Sequence, residues 1–431
     1  MLKVLLVALA AVLPAAAHAS DSETASNLAQ TQLTQSAPKA EVEIADVKSI
    51  SSTPLDPRMW ITVRAKDSKA RTALNSAGLD IVEIKGEITK GIISQSGLAA
   101  LVKNGYEITS KTTLEQFNKT FSKDFPAKDA TYHSYQEMTT ELNTIASTCK
   151  EYCSVVSIGK SSEGRDVWAL RFNPSAKGAA VSKLTGVTYM GLHHAREHLS
   201  AEIPLIFAKW LADNKTKADV KAVLDKRDIW IVPMVNPDGG EYDIATGQYR
   251  WWRKNTRKLS GSNIGVDLNR NYGHRWGGES SNPSSETYQG PSAFSEPESK
   301  VVKAFFDKYT NMKVMISYHT YGGMVLYPWG DADEDIPNAK DLAMHKAMAA
   351  KLADFTGYNA MKSSELYIAT GDSCDWTYDA HKILSFTIEL GPDQSSYGGF
   401  YPGAAMITKE GPKNTQAAFW AAQVADNPPQ Q

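Results

Sequence analysis

The segment Gly191–Ser200, GLHHAREHLS, holds three histidines and a glutamate. His194 and Glu197 stand three residues apart where a strand-like run gives way to a helical one, so both side chains can turn toward one point. His319 arrives at the end of a distant strand-like run, in SYHTYGG. Two imidazoles and one carboxylate are the His2Glu donor set of a catalytic zinc site, which keeps a fourth position for water. Zinc lowers the pKa of such a water to about 7, and a further carboxylate must then take its proton. Glu389, near the end of ILSFTIEL, is the one acid similarly placed. The same stretch also fits H-x-x-E-H, with His194 and His198 as ligands and Glu197 as base. That pattern wants a continuous helix, whereas here the strand-like VTYMGL runs directly into the motif. Histidines merely hydrogen-bonded inside a core are a third possibility. On the motif alone, all three readings stand.

Positioning such a set falls to the elements around it. From about residue 130 onward, near-continuous apolar runs (GVTYMGLH, DIWIVPMVN, KVMISYH, ILSFTIEL) alternate with helical patterns (SAEIPLIFAKWLAD, PESKVVKAFFDKY, AKDLAMHKAMAAKLADF). Runs of this kind read as buried strands. The expected fold is α/β: a mixed, mainly parallel sheet with helices on both faces. Open sheets carry ligands outside the carboxyl ends of their strands, where HHARE, VNPDGG, HTYGG and ELGPD lie. Ahead of this part, residues 44–115 alternate as β-α-β-β-α-β, a ferredoxin-like α+β unit. Asp67 supplies an N-cap, and Gly78 and Gly105 close its two helices. Residues 116–129 are polar and lysine-rich, suiting an exposed, cleavable linker.

The ends and the composition bound the rest. Residues 1–19 read as a signal peptide, followed by a polar, flexible lead-in over 20–43, so the chain is expected to be secreted or periplasmic. No second run is apolar and long enough to span a membrane. A net charge of -2 supplies no basic face for nucleic acid. In an oxidising compartment Cys149 and Cys153 are expected to pair, leaving Cys374 as a thiol.

In order along the chain, HAREHLS, MVNPDGGEY, WWRKNTR, GVDLNRNYGHRW, SYHTYGGMVLYPWG and SFTIELGP resemble the M14 zinc carboxypeptidases, the family of pancreatic carboxypeptidases A and B. The resemblance runs from about residue 132 to 420. It implies one zinc ion on His194, Glu197 and His319, Glu389 as general base, and Arg253 stabilising the oxyanion. Asn269 and Arg270 would clamp the terminal carboxylate of a peptide, Tyr367 would close over it, and Arg196 and Tyr321 would contact the substrate. Leu326, Gly330, Ala369, Asp372, Cys374 and Thr387 match positions around the pocket for the terminal side chain. Cys374 stands where enzymes specific for Lys and Arg carry an acid, favouring hydrophobic residues. Asp372 adds a carboxylate that admits basic residues second.

By the same resemblance the ferredoxin-like unit is an activation segment, removed by an activating protease from a monomeric zymogen that acts on peptides or proteins with a free C-terminus. His198 departs from the tryptophan of the pancreatic enzymes, and the Cys149 and Cys153 positions do not match their disulfide. An amidase acting on isopeptide or cell-wall bonds, and a binding protein that has lost catalysis, are the competing classes.

Overall fold

In the computed structural model, residues 58–114, 129–245, 247, 249–391 and 399–430 are described, and they fall in one unit, Pro54–Gln431. The expected signal peptide, the lead-in, residues 44–57 and almost all of the expected linker lie outside the described residues. The first described elements are β1 (Arg58–Arg64), α1 (Ser68–Ser76), β2 (Asp80–Lys85), β3 (Ile88–Ser94), α2 (Gln95–Lys103) and β4 (Ile108–Thr113). They form an antiparallel sheet in the order β2-β3-β1-β4, the expected β-α-β-β-α-β unit. Asp67 caps α1 by accepting from the Ala70 N–H, and Gly78 and Gly105 take positive φ of 90° and 78° beyond the two helices. The period of two along β1 then decides what each face does. Ile61 and Val63 pack inward with Leu74, Leu79 and Leu101, whereas Trp60 faces Trp251, Phe400 and Tyr401 of the larger part.

The larger part is built from α3 (Tyr135–Thr148), β5 (Cys153–Lys160), β6 (Asp166–Phe172), β7 (Thr185–Met190), α4 (Leu199–Asp213), α5 (Ala218–Leu224), β8 (Arg227–Val232) and α6 (Pro237–Ile244). A 3-10 turn at Leu268–Arg270 follows, then α7 (Pro297–Lys308), β9 (Met312–Thr320), β10 (Met324–Tyr327), α8 (Ala339–Thr356) and β11 (Asn359–Lys362). The chain closes with α9 (Ser363–Leu366), α10 (Ser373–His381), β12 (Leu384–Leu390) and α11 (Ala405–Val424). The sheet runs β11-β10-β12-β9-β7-β8-β6-β5. Its centre, β12-β9-β7-β8, is parallel, and β10, β6 and β5 add antiparallel pairs toward the margins.

Alternate residues of the central strands feed two cores. Ile229 and Ile231 of β8 and Val314 and Ile316 of β9 meet α3, α4, α8 and α11, while Trp230, Val232 and Met315 meet α7 and α10 on the other face. Helices on both faces is the expected arrangement, and it leaves the strand ends as the place where polar groups gather. Cys149 and Cys153 are disulfide-bonded with Cα atoms 5.4 Å apart, joining the end of α3 to the start of β5, and Cys374 is a buried thiol.

Candidate active site

The chain leaves β7 through a turn that only certain residues permit. A Cβ on Gly191 would collide with the carbonyl oxygens of Ser200 and Pro233, and Leu192 takes a φ of 52°. A leucine rarely adopts that conformation; it is held by an N–H bond to Ser200 Oγ at 2.9 Å and by accepting from the Asn236 N–H at 3.0 Å. The turn throws His194 and Glu197 over the carboxyl end of the sheet. The helix begins only at Leu199, so the continuous helix required by H-x-x-E-H is absent, and His198 turns away to Asp243 at 3.0 Å. His193 is also spoken for, between Tyr272 Oη at 2.9 Å and Ser317 Oγ at 3.1 Å.

His319, at the end of β9, completes the cluster. Nδ1 of His194 lies 2.7 Å from one Glu197 oxygen, Nδ1 of His319 lies 2.9 Å from the other, and the two Nδ1 atoms are 3.2 Å apart. The far nitrogens lie beside other polar groups: His194 Nε2 is 3.2 Å from Asp267 Oδ1 without an aligned hydrogen bond, and His319 Nε2 is 3.2 Å from Ser317 Oγ. A proton on each Nε2 leaves both Nδ1 lone pairs converging with a carboxylate, the donor set that a divalent zinc ion fits. Burial raises the Glu197 carboxyl, but the charges of His194 and His319 overcome it and hold the group well below the usual range. Asp267 follows the same balance, with burial outweighed by Arg253 and His194.

One cleft is lined by His194, Glu197 and His319 together with Arg253, Asn269, Arg270, Tyr321, Tyr367, Asp372 and Glu389. Glu389 reaches it through the β9–β12 register, which pairs it directly with His319. Burial pushes the Glu389 carboxyl up to about 8, against the pull of His319 and Arg253. Arg253 donates Nε–H to Asp267 Oδ2 at 2.8 Å, and its backbone carbonyl accepts from the Ala195 N–H at 3.0 Å, tying its loop to the ligand turn. Arg270 donates to the Asn269 carbonyl at 2.8 Å and lies 3.5 Å from Tyr367 Oη. The Asn269 side chain accepts from the Ser373 N–H at 3.0 Å. Arg253, Asn269, Arg270 and Tyr367 thus share the cleft with the histidine cluster.

Two expected substrate contacts sit elsewhere. Cys374 is behind the wall, buried beside Leu268, Tyr272 and Trp376, and not among the lining residues. It follows Asp372 by two positions at the start of α10, where the helix turns its side chain inward. Asp372 does line the cleft, but one of its oxygens caps α10 by accepting from the Cys374 and Asp375 N–H groups at 2.7 and 2.9 Å. Arg196 is fully buried with its guanidinium 4.0 Å from the centre of the Phe400 ring, and it pairs with Asp80 of the N-terminal unit. Asp80 also lies 3.2 Å from Arg253 Nη1, and Ile81, Val82 and Glu83 of β2 line the cleft. Sequence reading missed Asp80 and Asp267. Each is an ordinary acid in an ordinary strand or turn, and only the fold brings it to the site.

The sequence model of the zinc carboxypeptidase family, peptidase M14, matches residues 138–417. A zinc carboxypeptidase of Saccharothrix mutabilis subsp. capreolus is 33% identical over 391 residues, covering 86% of this chain and 89% of its own. Human carboxypeptidase A1 is 35% identical over 287 residues, 64% of this chain and 66% of the human one. Among solved structures, carboxypeptidase A of Helicoverpa armigera superposes with a TM-score of 0.70 at 25% identity, over 86% of this chain and 98% of its own.

Proposed function

The chain belongs to the zinc carboxypeptidase family, a metal-dependent hydrolase, and from that membership we propose a zymogen of an exopeptidase that releases single C-terminal residues, hydrophobic ones first and basic ones second. The observation that carries this reading is one cleft holding both the His194, Glu197 and His319 cluster and the Arg270, Asn269 and Tyr367 group. His194, Glu197 and His319 would hold the zinc ion, which when bound would supply Lewis-acid charge and an acidified water. Glu389 takes the proton of the attacking water and returns it to the leaving amine. Arg253, oriented by Asp267, places positive charge where the oxyanion develops. Arg270 grips the substrate carboxylate with its planar fork, Asn269 adds a donor, and Tyr367 closes over the site. Leu326, Gly330, Ala369 and Thr387 give the terminal side chain a largely apolar wall, with Asp372 beside them as an acid.

The zymogen part rests on β2. Its Asp80 engages Arg253 and Arg196, and Ile81, Val82 and Glu83 of the strand line the cleft where a peptide would run. The unit is anchored further by Arg58, which donates to the Arg250 carbonyl at 2.7 Å and Glu286 at 3.2 Å, and by Asn75, which donates to Glu279 at 2.7 Å. Arg71 donates to the Leu366 carbonyl at 2.8 Å, next to Tyr367, so α1 also restrains the loop that must close. Export through an N-terminal signal, activation by a second protease and a monomeric state complete the proposal.

The test uses linker-cleaved protein on a peptide ending in free Phe and on its C-terminal amide, each with and without a zinc chelator. Release of Phe from the free acid alone, abolished by chelator, is the expected result. Cleavage of both peptides, or of neither, overturns it; release of only Lys and Arg from a peptide panel overturns the stated preference.

A further inference from the structure

A second group of metal-binding side chains lies beside the cleft, outside the cluster already described. His274, Asp331 and Asp375 each offer a ligand atom, and these atoms lie within 4.8 Å of one another. The Asp331 side chain is fully buried and that of His274 is 10% exposed. Asp375 is 1% exposed.

The hydrogen-bond pattern around the three is uneven in an informative way. His274 Nδ1 stands 2.9 Å from Asp379 Oδ2, so a neutral ring with its proton there would present Nε2 as a lone pair, whereas, against the cost of burial, Asp331 and Asp379 together favour the protonated ring in the absence of a metal. Nε2 has no hydrogen-bond partner, and neither oxygen of Asp331 accepts a hydrogen bond, although Nε2 and Asp331 Oδ2 are 3.1 Å apart. The two atoms are side by side, not head on. Donor atoms on one tetrahedral ion, with bonds of about 2.0–2.1 Å, stand roughly 3.3 Å apart with both lone pairs aimed at a third point. Asp375 accepts from the Gly330 N–H at 2.8 Å and the Asp331 N–H at 3.1 Å, which orients its carboxylate as the outer partners of a ligating acid do. The Trp329 ring stacks on His274 at 4.6 Å and 12°, holding the imidazole in plane.

Charge points the same way. Asp331 and Asp375 are two buried carboxylates set around one imidazole. Arg275 Nε reaches Asp331 at 3.3 Å, but its side chain is 51% exposed and stretches on toward Glu334. We infer that His274, Asp331 and Asp375 form a second divalent-metal site, taking a transition ion of the zinc class. One imidazole with two carboxylates suits such an ion better than calcium, which wants six or more oxygens. Because Gly330 and Asp372 line the cleft, an ion here braces the wall against which the substrate side chain packs.

The competing account is an imidazolium shared by Asp331 and Asp379 with no metal. Chelator-stripped full chain, equilibrated with Zn2+ and measured for bound zinc per folded molecule, separates the two. Two zinc ions in the wild type, one in His319→Ala and one in Asp331→Asn are expected, the last with at least tenfold weaker uptake of the second ion. His274→Gln, which keeps a hydrogen-bonding side chain, is the second variant should Asp331→Asn not fold, and it too is expected to hold one. A wild type with a single zinc, or variants at Asp331 and His274 that hold as much zinc as the wild type, overturns the inference.

Discussion

At the scale of single residues, the proposed mechanism separates groups that act on substrate from groups that hold them in place. Glu389→Gln keeps the shape and removes the base, so kcat of the linker-cleaved enzyme is expected to fall by about 10²–10⁴ while zinc content by metal analysis stays unchanged. Asp267 is fully buried and is not among the residues that line the cleft. It receives Arg253 at 2.8 Å and the Asn269 N–H at 3.0 Å, and faces His194 at 3.2 Å. Asp267→Asn is therefore expected to weaken zinc affinity about 10–100-fold, read by competition with a chelator. His345 makes the contrasting case of a histidine with no chemistry. Its Nδ1–H donates to the Asp341 carbonyl at 2.8 Å, its Nε2 accepts from the Ser385 N–H at 3.2 Å, and burial holds its pKa down at about 4. The unfolded chain takes a proton near 6.5 that the folded chain refuses, so stability is lost as pH falls from about 6.5 toward 4, by about 3 kcal/mol at most. Denaturation midpoints across that range should slope less in His345→Gln than in wild type; equal slopes would count against this. Much of the cleft was legible from short motifs: His194, Glu197, His319 and Glu389 lie at or just beyond strand ends, and Asn269 and Arg270 in a short turn, each with recognisable neighbours. Asp80, Asp267 and the pair Asp331 and Asp375 were not, since their partners lie far away in the chain.

At the scale of elements, legibility followed burial. The four strands expected from their apolar runs are β7, β8, β9 and β12, the parallel centre covered on both faces. The marginal strands escaped the reading: β5 (CSVVSIGK) is half exposed, and β10 and β11 have four residues each, too few to show a period. Helix α11 was missed for another reason, as Gly411 and Pro412 interrupt its pattern, yet its 20 residues pack along α4 and α8. One margin is fastened by charge. Arg171 of β6 meets Asp228 of β8 at 2.7 and 3.0 Å, both side chains fully buried, and the guanidinium lies 4.6 Å from the centre of the Trp230 ring. Asp228→Ala strands a buried cation and is expected to cost about 3–5 kcal/mol in a denaturant titration. Replacing Arg171 and Asp228 together by apolar residues should cost clearly less than Asp228→Ala alone.

At the scale of the whole molecule, the small sheet holds the large one by a strand along the cleft wall, buried ion pairs and the aromatic contact of Trp60 with Trp251 at 5.9 Å. Asp80→Ala in the uncut chain is expected to raise basal peptidase activity at least tenfold, since about 1.4 kcal/mol taken from the closed arrangement is enough; unchanged activity would mean that Asp80 does not keep the cleft shut. The same contacts have a consequence for any cut between residues 115 and 128. Severing the chain there removes none of them. If the unit blocks the cleft as proposed, what changes is bookkeeping of concentration: a tethered blocker acts at an effective concentration of about millimolar, a severed one only at the concentration at which it is present. A nicked preparation should therefore remain silent while concentrated and wake on dilution, with a lag set by the departure of the fragment. Its specific activity would be a property of the solution as much as of the enzyme, until a further cut within residues 58–114 makes the release irreversible.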